Sequence, residues 1–316
     1  MSLFNSTRLD TGNIEAQFKK NKHDMKDCLI SFQYPTLTVT VKSKHKHKID
    51  ITHCTLQRSS PLIPEKPETN DPNWKNLYFQ INFDKDTFVF YIPNNSQFIN
   101  MLTVLGLNMK VIGTYGYPLR VSVLKSAWRF PTPIFRSIQY LRYNEAHFVQ
   151  GIFRTSCKET ERERVRLIMN TDLTAETFTF KGVHVAAGVL KEYLRTLDEP
   201  IFPMEFNDKI KACALEENNV FIKKMKKVIN ELPSINKNCL WYIFDYLNLV
   251  VKHNEVNLMN AENLSIVFGP SLIYTDISNT SEKGKNELNE FNVVIKRLIE
   301  NYGEIFREIK MENEGI

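Results

Sequence analysis

Four residues of this 316-residue chain have a type and a setting suited to chemistry: Arg154, Lys191, Arg195 and Asn263. Arg154 closes the run Gly151-Ile152-Phe153-Arg154 and is followed by Thr155-Ser156. A glycine and two burial-favouring residues before it predict a loop that supports the arginine stem and leaves the guanidinium free. That group is permanently charged, planar and rich in donors, which suits it to charge developing on phosphoryl oxygens. An arginine beside a buried phenylalanine is more commonly solvated or ion-paired, so the run decides nothing alone. Lys191 and Arg195 are four residues apart and share a helix face. Stacked like charges repel by about a few tenths of a kcal/mol unless a polar or anionic group meets them. The plain alternative is a solvated basic face paired to Glu192 or Glu199. Asn263 lies among Leu264, Val267 and Phe268 in a helical stretch. Asparagine is a poor helix former, so it is there for its amide or tolerated on an exposed face.

Other chemistries find no support. The sequence has no P-loop, no His-Glu-x-x-His, no Gly-x-Ser-x-Gly and no metal-spaced Cys/His set. No metal site and no cofactor of the chain's own are expected. Its five cysteines form no Cys-x-x-Cys pair, which is free-thiol usage and points to a reducing compartment. Met1 to Gly12 lacks a signal-peptide pattern, and no apolar run reaches the roughly 18 residues of a membrane span. The expected address is cytoplasmic, with a peripheral place at the inner membrane surface.

That last expectation comes from charge. Residues 1–115 carry 14 Lys/Arg against 10 Asp/Glu, which is +4 of the chain's net +5. The lysines cluster as Lys19, Lys20, Lys22 and Lys26, then Lys42, Lys44, Lys46 and Lys48. A local basic surface suits an anionic partner. Nucleic acid is disfavoured, because no aromatics are interleaved with these lysines as a stacking platform requires.

Two periodicities divide the chain. Segments 28–32, 37–41, 49–56, 77–83 and 87–92 are short, β-branched or aromatic, and several alternate, so they read as strands. Asn94 or Asn95 then caps a helix that buries Phe98, Met101, Leu102 and Leu105. Residues 61–73 hold four prolines and read as a surface loop. From about Thr114 the period is helical. Ser156 and Glu159 have capping-box spacing. Ala186, Val189, Leu190, Tyr193, Leu194 and Leu197 recur at helical spacing. Another helix is expected to stop at Gly269-Pro270. The chain is therefore multidomain: a β-rich module with one C-terminal helix over 12–112, then an all-α domain over 114–310.

Taken together, the motifs resemble a RhoGAP domain. They are Gly151-Ile152-Phe153-Arg154; His184, Ala187, Leu190, Lys191, Leu194, Arg195, Leu197, Glu199 and Pro200; Asn263, Leu264, Val267, Phe268, Gly269, Pro270 and Leu272; and the opening Tyr115-Gly116-Tyr117-Pro118-Leu119. Three positions depart from the family pattern: Cys157 and Ser271 replace a glycine and an asparagine, and Asp198 replaces a proline. The resemblance implies a GTPase activator with no active site of its own. Arg154 would act in trans on a Rho-family small GTPase (Rho-, Rac- or Cdc42-like). Lys191, Arg195 and Asn263 would brace the finger loop or touch the switch regions. GTP and magnesium would belong to the partner. The β-rich module resembles a PH domain without the tryptophan usual in its closing helix and without the Lys-x-Arg pair of tight phosphoinositide binders, which implies as ligand an anionic phospholipid or phosphoinositide, or else a protein. Lys19, Lys20, Lys22, Lys44, Lys46 and Lys48 are the candidate contacts, placed in loops at the lipid-facing end. The alternative function is an adaptor that binds a GTPase without activating it.

Overall fold

The computed structural model describes residues 13–21, 24–41, 45–57, 77–83, 85–112, 114–126, 128–171, 178–273, 282–307 and 309. Lys22, Lys42, Lys44 and the proline-rich loop lie outside them. The contacts divide the chain into two compact units, 1–125 and 126–316.

The first unit is built on one sheet. Its strands are β1 (Ile14–Lys20), β2 (Lys26–Gln33), β3 (Thr36–Val41), β4 (His45–Asp50), β5 (Thr55–Gln57), β6 (Tyr78–Phe83), β7 (Asp86–Tyr91) and β8 (Lys110–Ile112). They lie in the order β4-β3-β2-β1-β7-β6-β5-β8. Every neighbour pair is antiparallel except β5 with β8. Alternation drives the pairing. Ile14, Ala16 and Phe18 of β1 point inward, as do Leu37, Val39 and Val41 of β3. Helix α1 (Asn95–Asn108) closes the core with Phe98, Met101, Leu102 and Leu105, all fully buried. Asn94 caps it by accepting from the Gln97 amide at 3.0 Å. Seven antiparallel strands followed by one helix fit the PH-like expectation.

Two details differ from the sequence reading. Residues 14–20 form a strand, so Lys19 and Lys20 sit in a ladder opposite Val89 and Phe88 rather than in a loop. The apolar alternation of Ile14, Ala16 and Phe18 carried this signal. Segment 49–56 is not one strand. Asp50 accepts from the Thr52 amide at 3.0 Å and from its hydroxyl at 2.7 Å, which caps a 3-10 turn over Ile51–His53. That turn separates β4 from β5.

The helical expectation begins at 114, whereas the break between units falls at 125/126. Tyr117 explains the difference. It is buried in the first core and donates to the Leu56 carbonyl at 3.0 Å. Helix α2 (Leu119–Lys125) adds Val121 to that core, packed where Gly106 has no side chain.

The second unit is all-α: α3 (Thr132–Tyr143), α4 (Glu159–Thr171), α5 (Val183–Arg195), α6 (Asn207–Lys211), α7 (Asn218–Glu231), α8 (Ser234–Lys252), α9 (Asn254–Asn257), α10 (Ala261–Leu272), α11 (Glu282–Glu300) and α12 (Tyr302–Ile305). Helix α5 buries Ala186, Val189, Leu190, Tyr193 and Leu194, the predicted stripe. It packs between α3 and α10, and α10 packs on α11. Helix α10 does not stop at Gly269; it runs to Leu272 with Pro270 inside. Proline in a last turn forgoes only its own amide bond, and the Ile273 amide still reaches the Gly269 carbonyl at 3.2 Å. Gly269 is needed for packing, since a Cβ there would lie 2.0 Å from Oδ1 of Asn292 on α11. The capping box is also absent. Helix α4 starts from the Lys158 carbonyl, and Glu159 pairs with Arg162 instead.

Candidate functional site

Arg154 is displayed by a loop that buries the two residues before it. Ile152 and Phe153 are fully buried, and Arg154 is exposed. The reversal comes from the backbone. Gly151 and Phe153 both adopt φ = +68°. Left-handed geometry is open to glycine and costs other residues on the order of 1–3 kcal/mol. Phe153 tolerates it because its ring packs edge-on against Phe268 at 4.9 Å and Tyr246 at 6.0 Å. Gly151 cannot be replaced as easily, because a Cβ there would lie 2.8 Å from Oγ1 of Thr155. The Arg154 side chain folds back beside Gly151 and makes no hydrogen bond or ion pair among the described residues.

The loop is latched through its main chain. The Lys191 ammonium donates to the Phe153 carbonyl at 2.5 Å. Burial lowers the pKa of Lys191, as do the positive charges of Arg195 and Arg162. Lys191, Arg195 and Arg162 thus form one positive cluster, tied to the Arg154 loop through the Phe153 carbonyl. Arg195 also donates from Nε to the Ser271 hydroxyl at 3.0 Å, which joins α5 to α10 and uses one of the residues that departs from the family pattern. Glu192 does not neutralise this pair; it faces Arg162 and Arg166 at 3.6 and 3.5 Å. Cys157, another departure, fits because Gly188 leaves room: a Cβ at 188 would sit 2.7 Å from its sulfur.

Asn263 belongs to the same assembly through a relay. Its amide Nδ2 donates to the Leu258 carbonyl at 3.1 Å, and Leu258 is in the left-handed region at φ = +61°. The preceding residue, Asn257, accepts the Gly151 amide on its carbonyl at 2.8 Å. Asn257 is fully buried. Its Nδ2 donates to the carbonyls of His147 and Val250, both at 2.7 Å, and its Oδ1 accepts from the Met259 amide at 2.7 Å. Sequence reasoning missed this hub. The available signal was Asn254, Asn257, Asn260 and Asn263, an asparagine at every third position, each able to satisfy backbone groups at helix ends.

Beside Asn263, α10 presents Ile266, Val267 and Pro270 at spacings of three, four and seven residues. Ile266 is 58% exposed and Leu258 47%. The site therefore combines a free guanidinium, a latched positive pair and an apolar rim. That combination suits a protein surface presenting phosphate.

Among the six candidate lipid lysines, Lys19, Lys20, Lys46 and Lys48 are described. Lys20 is tied to Asp86 at 2.5 Å, which offsets its charge. Lys46 and Lys48 do not sit in the expected loop but lie opposite Thr40 and Thr38 on the edge strand β4, whose residues complete the ladder with β3. Lys48 also lines an open recess of about 520 Å³ with Asn13, Ser31, Gln33, Thr36 and Thr38.

Among the described residues no group of His, Cys, Asp and Glu is placed to hold a metal, and no helix is long and apolar enough to cross a membrane.

Comparison with known proteins agrees with this architecture. Residues 131–277 match the RhoGAP domain family. Rho GTPase-activating protein 15 of Gallus gallus is 29% identical over 161 residues, covering 50% of this chain and 34% of that protein. Rho GTPase-activating protein gacJJ of Dictyostelium discoideum is 28% identical over 232 residues, covering 71% of this chain and 26% of that protein. The matches span about a third or less of these relatives' length. The crystal structure of human Rho GTPase activating protein 15 is 25% identical with a TM-score of 0.55, and the match covers 62% of this chain and 92% of that one.

Proposed function

We propose that this chain is a GTPase-activating protein for a Rho-family small GTPase, and that Arg154 is its arginine finger. The observation that carries the reading is a guanidinium with no hydrogen bond or ion pair among the described residues, on a loop whose carbonyl is clamped by Lys191. A partner docks its phosphate-bearing face on α10 and the finger loop. Arg154 then meets charge that develops on the phosphate oxygens as the γ-phosphoryl group leaves. GTP and magnesium stay with the partner, whose own residues orient the attacking water. The chain supplies charge and position and turns over no substrate alone. Lys191 and Arg195 keep the loop in place and add positive potential; Asn263 and Ile266 contact the partner.

The test is GTP hydrolysis by a panel of Rho-family GTPases with catalytic amounts of this protein. Arg154→Ala should lose about 10³-fold or more of the stimulation while still binding a GTPase loaded with a transition-state mimic. Arg154→Lys should fail comparably, because an ammonium lacks the planar fork. Stimulation that survives Arg154→Ala would refute the finger assignment. If the intact chain bound every active GTPase without stimulating any, the adaptor reading would stand instead.

The first unit is the recruiting module in this proposal. Its lysines favour anionic phospholipid, which would hold the protein at the cytoplasmic membrane face.

A further inference from the structure

Helix α7 carries no part of the finger site, yet it displays the run Lys223-Lys224-Met225-Lys226-Lys227. Its inner side is accounted for: Phe221, Ile222, Met225, Val228 and Ile229 are buried. Val220, Lys223, Lys224 and Lys227 fall at spacings of three, four and seven residues, so they share the outer side. Lys224 is tied to Glu216. Lys223, Lys226 and Lys227 are in no ion pair among the described residues. Glu217, at the N-terminal end, is the neighbouring carboxylate left unpaired among them.

The turn before α7 adds an apolar element. Leu215 is 93% exposed. Its display is built in, because the turn is pinned from behind. Arg297 donates from Nη1 to the carbonyls of Ala214 at 3.0 Å and Cys213 at 3.3 Å. The same guanidinium lies 4.0 Å above the Phe221 ring. The Lys224–Glu216 pair then sets the turn along the basic side of the helix.

We infer that α7 and the Leu215 turn form a docking surface for an anionic lipid membrane. Lysine stems can lie along the headgroup layer with their ammonium groups among the phosphates. A leucine held beside them by the pinned turn reaches toward the acyl boundary, so that basic stems and an apolar tip lie on one surface as an interfacial helix requires. This surface is separate from the lysines of the first unit and needs no GTPase.

The full-length chain is the material for the test. Sedimentation should be compared on phosphatidylcholine vesicles and on vesicles with about a fifth phosphatidylserine, at low and high salt. The combined change Lys223→Glu, Lys226→Glu and Lys227→Glu should weaken binding to the acidic vesicles about tenfold or more with melting unchanged. Leu215→Trp gives a local readout that does not depend on the first unit. Its emission, less that of the parent, should shift to shorter wavelength on acidic vesicles and not on neutral ones. An unshifted emission on vesicles that do carry the chain down would overturn the proposal. So would full binding by the folded triple variant, which would leave the patch to an acidic protein or to solvent.

Discussion

The amide of Gly151 donates to the carbonyl of Asn257 at 2.8 Å, across more than a hundred residues of sequence. This bond ties the Arg154 loop to the last residue of α9. Two carbonyls and one amide converge on the Asn257 side chain, from His147, Val250 and Met259. The loop's position therefore depends on a residue that touches no partner.

Asn257→Ala should be among the costliest substitutions in the helical unit. It orphans two backbone groups, the His147 carbonyl and the Met259 amide, at about 1–3 kcal/mol each, while the Val250 carbonyl keeps the His253 amide at 3.1 Å. Even at the lower end, melting of the second unit should fall by roughly 4–8 °C, since about 1 kcal/mol moves a unit of this size by 2–4 °C. Asn257→Asp should do no better, because a carboxylate would face the His147 and Val250 carbonyls. Calorimetry decides this, and an unchanged melt would dismiss the hub.

Lys191→Met removes the donor to Phe153 while keeping an unbranched stem of similar length. A hydrogen bond from a charged group contributes about 1.5–3 kcal/mol, so stimulation should drop roughly 10- to 100-fold. Melting should change little, because the ammonium is already penalised by burial and by Arg195. Equal loss of activity and of folding would assign Lys191 a structural role only.

His147 predicts a pH dependence. Its ring lies tilted against His253 at 5.0 Å and Phe148 at 4.3 Å, and its Nδ1 is buried without a hydrogen-bond partner among the described residues. Burial lowers its pKa below 6.5, as do His253 and Arg142, while Glu145 pulls it up. The unfolded chain then binds more protons between the folded value and 6.5. This contribution to stability is fully present above 6.5 and is lost as pH falls through the folded value. Thermal melts between about pH 5.5 and 7 should show a steeper loss for the parent than for His147→Gln. Parallel curves would contradict this.

In the first unit, Lys46→Glu with Lys48→Glu should reduce sedimentation with acidic vesicles, by roughly tenfold if each lysine contributes about 1 kcal/mol. Lys20→Glu should instead cost stability by repelling Asp86. Binding that ignores both β4 lysines would remove lipid from that module's role.

Much of this was legible in the chain because it follows from period and spacing. The α5 stripe and the inward face of α1 appear where helical repeats place them. Lys191 and Arg195 do share a face, and Arg154 is exposed as its loop predicted. The misses share a physical origin. Ser156 lost its box because helix α4 begins from the Lys158 carbonyl and Glu159 pairs with Arg162. Gly269 and Pro270 read as a stop, yet Asn292 across the α10–α11 contact requires the glycine inside the helix. Residues 14–20 alternate too briefly to stand out beside a lysine cluster. The Asn257 hub could not be inferred locally, because its partners lie on four segments. In each case tertiary contact outweighed local preference.

The finger loop is held by a peptide amide and a peptide carbonyl, and the Arg154 side chain contributes nothing to its own placement. On the function proposed above, a single codon change at 154 would therefore leave the docking face whole while deleting the chemistry. Such a copy would occupy the active GTPase and shield it from intact copies. Loss of this one side chain would act as a dominant brake on signal termination, whereas loss of Asn257 would be closer to recessive, since it lowers the folded population that can compete.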